Sequence, residues 1–161
     1  MILVALGTHH EPFERLLRAV EEATDGLGGE EVVVQAGASA RPLRGCRVVA
    51  TLDPGELTTL LDAARLVVLH GGSSLFLEAR ALGRVPIVVP RRARFGEHVD
   101  DHQVEFAASL APSEALVCEP EALPAVLRGW REPRGTPIDR SAAFARGLSA
   151  AIESIRRARG R

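Results

Sequence analysis

The sequence predicts an α/β fold: a doubly wound, parallel sheet of about six strands flanked by helices. Three observations predict it. Short apolar runs at residues 2–6, 32–34 and 66–69 are too brief for helices and read as buried strands. Between them lie segments whose apolar residues recur at helical spacing. The stretch at 66–89 is a complete βαβ unit, with an apolar run, the turn His70-Gly71-Gly72, a helix reaching Gly83 and a second apolar run. Such units carry their loops at the carboxyl ends of parallel strands, where open α/β sheets bind ligands.

Residues 2–6 form the first strand, which turns at Gly7-Thr8 and is followed by His9-His10. Glu11-Pro12 opens a helix, since proline's missing N–H costs nothing in the first turn, and Phe13, Leu16, Leu17 and Val20 give it one apolar face. Residues 25–30, with three glycines, connect to the second strand, and 37–45 make an irregular loop before a short third strand at 47–50. In Asp53-Pro54-Gly55-Glu56, Asp53 caps a helix, Pro54 suits its first turn and Glu56 stands at the capping-box position. Leu57, Leu60, Leu61 and Ala64 point inward from that helix. After the strand at 66–69, Ser73-Ser74 cap the next helix. The strand at 86–89 leads into a polar loop at 90–100 and a helix capped by Asp101. A sixth strand falls at 115–118 and a short helix at 120–128; two prolines and two glycines then break the chain at 129–137. A last helix runs from Asp139 to about Ala158. The organisation is one binding domain, 1–138, and a terminal helix, 139–161, that either packs on its own sheet or contacts a partner.

Composition narrows the function. The 161 residues are 46% hydrophobic and 25% charged, which suits one soluble domain. A net charge of -1 gives no field favouring nucleic acid or an anionic membrane. All 20 basic residues are arginine, so a Walker-type phosphate loop and lysine Schiff-base chemistry are both excluded. Cys46 and Cys118 lack CxxC spacing and read as buried, reduced thiols of a cytoplasmic protein. The amino terminus lacks a basic n-region, and no stretch approaches the ~20 apolar residues of a spanning helix.

Several constellations could carry chemistry. His70-Gly71-Gly72-Ser73-Ser74 entering a helix is either an anion site, where N–H groups and the helix dipole receive a phosphate, or a tight turn with serine caps. Gly7-Thr8 repeats this geometry on a neighbouring strand. No GxGxxG follows the first strand, so the dinucleotide fingerprint is absent. Glu78, one turn beyond Ser74, either accepts bonds from ribose hydroxyls or is solvated. His98 and His102 stand at i and i+4 with carboxylates between them, a spacing that admits a metal in a helix but departs from HExxH. We read this group instead as a polar cluster for a hydroxyl-rich ligand. Arg91, Arg92 and Arg94 form either a phosphate or partner surface or a solvated loop.

The order of strand, His70-Gly71-Gly72, Glu78-Ala79, Gly83, Pro86, Pro90 and Asp101-His102-Gln103 resembles the carboxyl-terminal half of glycosyltransferase family 28. Gly7-Thr8-His9 with Pro12-Phe13-Glu14-Arg15-Leu16, and Pro90-Arg91-Arg92 with Phe95-Gly96-Glu97-His98, are similar to short stand-alone bacterial members of exopolysaccharide and capsule synthesis. The resemblance implies a Rossmann-like domain, one half of a GT-B fold, about half the length an entire enzyme needs. In such split enzymes a membrane-anchored second polypeptide supplies the acceptor half. By resemblance, Gly7, Thr8 and the turn of His70, Gly71, Gly72, Ser73 and Ser74 face a diphosphate. Leu52 lies near the uracil, Glu78 holds the ribose, and Asp101, His102 and Gln103 contact the donor hexose. No metal or cofactor is implied, since the helix dipole and backbone N–H groups neutralise the leaving group. One departure stands out: the family has glycine and then serine or threonine where this chain has Ser74 and Leu75.

The expectation is therefore the donor-binding catalytic subunit of an inverting, UDP-sugar-dependent hexosyltransferase. Its acceptor would be a lipid-linked sugar at the cytoplasmic face of the membrane, reached through a partner. The general base is either His9 or a residue of that partner. The alternatives are a non-catalytic nucleotide-sugar-binding or regulatory subunit and a small sugar-nucleotide epimerase.

Overall fold

A computed structural model describes residues 1–139. Six strands form one parallel sheet: β1 (Ile2–Ala5), β2 (Val32–Gln35), β3 (Cys46–Val49), β4 (Leu66–His70), β5 (Ile87–Val89) and β6 (Leu116–Val117), in the order β3-β2-β1-β4-β5-β6. Every pairing is parallel. The expected doubly wound sheet is present. Its central strands are hydrophobic apart from His70 at the end of β4, because both faces are covered.

Alternation along each strand divides the core. Ile2, Val4, Val32, Val34, Val68, Ile87 and Val89 face α1 (Glu14–Thr24) and α5 (Leu123–Gly129). Leu3, Ala5, Val33, Val67 and Leu69 face α2 (Pro54–Ala63) and α3 (Ser73–Ala81). Val88 packs with Phe76 of α3 and Ala107 of α4 (His102–Ser109). None of the described helices is long and apolar enough to cross a membrane.

Asp53 and Glu56 form the expected reciprocal capping box at the start of α2. Three other helix starts differ from expectation. Helix α1 begins at Glu14 rather than at Glu11-Pro12: Phe13 is its cap residue, not helical itself, and its N–H donates to Ser39 Oγ at 2.8 Å. Gly72, not a serine, is the cap residue of α3, and Ser73 and Ser74 lie in its first turn. Asp101 occupies the cap position of α4, but its carboxylate accepts from the Ala93 N–H at 2.9 Å instead of capping.

Cys46 and Cys118 are free and half-buried rather than buried. Cys46 lies on β3 and Cys118 follows β6, strands at opposite edges of the sheet, so no bridge can form between them.

The segment after α5 breaks helical structure as expected, yet it is pinned down. The Glu132 carboxylate, 1% exposed, accepts from Arg84 Nε at 2.7 Å and Nη2 at 3.0 Å, and from the Val67 and Val85 N–H groups at 3.0 Å each. It fills the notch where β4 and β5 begin to diverge. Gly135 N donates to Gly83 O and Ile138 N to Arg80 O, so the chain leaves beside the carboxyl end of α3. That is the opposite end of the sheet from the strand termini at His70 and Val89. The terminal helix expected from Asp139 falls on 140–161, outside the described residues.

Candidate functional site

A cleft of about 620 Å³ opens over the carboxyl ends of the strands. The chain order makes its location inevitable: β1 and β4 are neighbours, but the loops leaving them run to opposite faces, which leaves a crevice at the reversal. Gly7, Thr8 and His9 follow β1, Gln35 ends β2, and Thr51 and Leu52 follow β3. His70, Gly72, Ser73, Ser74 and Glu78 belong to the β4–α3 passage, and His98, His102 and Gln103 follow β5. All of these residues line the cleft.

His70 is the floor of this site. A Cβ on Gly7 would lie 2.6 Å from His70 Nε2, and one on Gly72 would overlap the ring. Gly7 also has φ +72°, a backbone conformation that glycine adopts at no steric cost. The imidazole therefore fits only between two residues without side chains. Arg91 N–H donates to Gln103 Oε1 at 3.2 Å, which identifies that atom as the acceptor oxygen. His70 Nδ1, 3.4 Å from the same oxygen, then carries the ring proton, and Nε2 faces the cleft as an acceptor.

Burial, reinforced by the Arg91 charge, pushes the His70 pKa down to about 4. The unfolded chain takes up this proton near pH 6.5 while the folded chain does not. Stability is thus complete above pH 6.5, and falls as pH drops towards 4, by roughly 3 kcal/mol on this account. Urea denaturation between pH 7.5 and 4.5 should show the decline, and His70→Gln should flatten this part of it.

The opposite rim is the first turn of α3. It carries no side-chain cap, and its first intrahelical bond is Phe76 N to Gly72 O. The N–H groups of Ser73, Ser74 and Leu75 precede that bond and have no intrahelical partner. Leu75, the departure from the family pattern, lines the cleft and also packs against the core under α3.

Two expected site residues lie elsewhere. Gly71 lets α4 approach: a Cβ there would stand 2.8 Å from Gln103 Cβ. Asp101 is exposed and holds the Ala93 N–H, shaping the loop rather than lining the cleft. Gln35 was not anticipated as a lining residue, whereas His98 belongs to the polar cluster expected to meet a hydroxyl-rich ligand. The Gln35 amide donates to Gly7 O and Ala50 O at 2.9 Å each and accepts from Gly7 N at 3.0 Å, extending the β1–β2–β3 ladder through a side chain. The only signal was a polar residue ending an all-valine run.

Of the arginines of 91–94, Arg91 and Arg92 are held in contacts within the protein, whereas Arg94 stays exposed. Arg91, 1% exposed, donates to Leu6 O, Glu11 O and Glu97 O and lies over the Phe13 ring. Arg92 pairs with Glu119. Arg15 grips Glu97 through Nε at 2.9 Å and Nη2 at 3.2 Å, while Glu97 also accepts from Arg92 N. Arg94 lies over the exposed Phe95 ring. These contacts join the loops after β1 and β5.

Above His70 the two loops bring together three imidazoles. His9 stacks on His98 with centroids 4.1 Å apart, and His98 meets His102 edge-on at 4.5 Å. His9 Nε2 lies 2.6 Å from Glu11 Oε2, and His102 Nδ1 2.5 Å from Asp100 Oδ1. Burial together with the neighbouring His9 and His102 lowers the His98 pKa.

Comparison with known proteins follows from this geometry. A curated relative, the UDP-N-acetylglucosamine--N-acetylmuramyl-(pentapeptide) pyrophosphoryl-undecaprenol N-acetylglucosamine transferase of Desulforudis audaxviator, is 33% identical over 105 residues, 62% of this chain. The chain spans only 28% of that relative's length. Among solved structures, MurG of Acinetobacter baumannii aligns over 78% of this chain and 38% of its own, with TM-score 0.54 and 19% identity. The glycotransferase of kitacinnamycin aligns over 79% of this chain and 32% of its own, with TM-score 0.57 and 22% identity. These two establish likeness of fold, that of GT-B glycosyltransferases. The model of the glycosyltransferase family 28 C-terminal domain matches residues 1–154, and the chain belongs to that family.

Proposed function

We propose that this chain is the donor-binding part of an inverting, UDP-sugar-dependent hexosyltransferase that acts on a lipid-linked acceptor. The observation that carries the reading is the cleft itself. An uncapped helix start faces a glycine-walled gap at the sheet's reversal point, with a carboxylate, Glu78, one turn along. Such a helix start receives a diphosphate through N–H groups and dipole. The printed name of the D. audaxviator relative, a UDP-N-acetylglucosamine-dependent transferase to a pyrophosphoryl-undecaprenol acceptor, supports the donor and acceptor classes.

In this reading Gly7, Thr8 and the His70–Ser74 passage enclose the diphosphate, Leu52 borders the uracil, and Glu78 accepts from the ribose. His102 and Gln103 adjoin the hexose. The acceptor hydroxyl attacks the anomeric carbon as the bond to the β-phosphate oxygen breaks. The electron pair leaves with UDP, whose charge meets the α3 start, and the hydroxyl proton passes to His9, oriented by Glu11. No metal or cofactor enters these steps. A second, membrane-anchored polypeptide supplies the acceptor half and brings the chain to the inner face of the membrane, in surface polysaccharide or glycan synthesis.

Calorimetry with UDP and UDP-hexoses tests the first half of this reading. Glu78→Ala should weaken UDP binding about tenfold, with circular dichroism confirming that the variant folds. Absence of binding by any donor removes the proposal. Binding without UDP release, even with the co-expressed partner, favours a non-catalytic nucleotide-sugar-binding subunit.

A further inference from the structure

Beside the residues proposed for sugar transfer, the loop after β5 carries a constellation of its own, which shares His102 with the hexose contact. His98, Asp100 and His102 each offer one ligand atom within 4.8 Å of the others. Asp100 Oδ1 stands 2.5 Å from His102 Nδ1 and 3.5 Å from His98 Nδ1, so one carboxylate oxygen faces two ring nitrogens. The His98 side chain is only 9% exposed, and its Nδ1 is buried without a hydrogen bond among the described residues. A buried, unpartnered imidazole nitrogen aimed at a carboxylate is costly unless something occupies the space between them.

We infer that His98, Asp100 and His102 bind a single late first-row divalent cation of the Zn²⁺ class. Two imidazoles and one carboxylate suit Zn²⁺, Co²⁺ or Ni²⁺ rather than Mg²⁺ or Ca²⁺, which prefer all-oxygen shells. Ligand bonds of about 2.0–2.1 Å to one centre place tetrahedral donor atoms about 3.4 Å apart. The Asp100–His98 separation of 3.5 Å already matches, and the Asp100–His102 separation of 2.5 Å must open by roughly 1 Å. Asp100 is 60% exposed and His102 55%, so a side-chain rotation achieves it. The metal then takes the place of the direct Asp100–His102 contact. His9, stacked flat on His98, fixes that ring's plane, as outer partners of ligating imidazoles do. Three protein donors leave a fourth position for water, opening towards the cleft that His98 and His102 line.

His9, His10 and Glu11 form the neighbouring alternative, because the Glu11 oxygens approach both imidazoles. There His9 Nε2 and Glu11 Oε2 are likewise buried without a hydrogen bond among the described residues, but His9 is 26% and His10 79% exposed, against 9% for His98. Hence the ion is assigned to the loop after β5.

The test uses the full chain, freed of chelator, titrated with Co²⁺ and then displaced by Zn²⁺. The expected result is one Co²⁺ per chain with visible bands of four- or five-coordinate geometry and micromolar Zn²⁺ affinity. Asp100→Asn, His98→Ala and His102→Ala should each weaken binding at least tenfold, with circular dichroism confirming that they fold. His10→Ala should change it less than threefold. Millimolar binding, or equal binding by wild type and the Asp100→Asn variant, overturns the assignment. So does a loss confined to His10→Ala. None of these readouts depends on sugar transfer.

Discussion

Glu132→Ala should destabilise the chain by about 3–5 kcal/mol, lowering the thermal midpoint by roughly 10 °C or more. The cost has two sources. Arg84, 1% exposed, keeps its charge in the core with only the Asp62 and Arg65 carbonyls as partners. The Val67 and Val85 N–H groups also lose their acceptor, and buried unsatisfied donors are expensive. Arg84→Met should cost less, because the carboxylate retains both backbone donors. In a double-mutant cycle Arg84→Met/Glu132→Ala should lose less than the sum of the single variants. Urea denaturation checks each arm. Additive losses would mean that the two side chains do not act as a pair.

Gly72→Ala should reduce UDP affinity at least tenfold and cost about 1–3 kcal/mol of stability, and His70→Ala should reverse much of the stability loss. Gly72 has φ −83° and ψ 127°, ordinary extended geometry that alanine adopts freely. The three atoms nearest its added methyl all belong to the His70 ring, which must move off the floor of the cleft. In Gly72→Ala/His70→Ala that obstacle is absent. Calorimetry with UDP and thermal melts on the four proteins of the cycle measure the coupling. Equal penalties with and without His70 would show that the glycine is needed for something other than room. Gly7→Ala is a less informative companion, because φ +72° adds backbone strain to the steric conflict.

Much of the fold was legible because its signals are local. Short valine-rich runs and the Asp53/Glu56 box each specify their element within a few residues. The glycine-rich wall of the cleft was also visible, since glycines between a strand and a helix have few uses. What escaped depends on strand order. His9 and His98 follow β1 and β5, which flank β4, so their loops meet over His70 only once the sheet has formed. The charged residues misled for a different reason. Arg91 in a polar loop and Glu132 in a proline- and glycine-rich stretch look like surface groups. Their burial follows from carbonyls and N–H groups presented by distant segments. Asp101 and Gly71 stand beside true lining residues, and a side chain's direction is lost within one or two positions of a turn.

Arg91 has a consequence for how a ligand arrives. By holding Leu6 O, Glu11 O and Glu97 O, it ties the loops after β1 and β5 into one body with the sheet. The entropy of ordering those loops is then spent during folding and not again at association. The cleft wall formed by these two loops is shaped by folding itself, so capture of a ligand needs no closing step of the two.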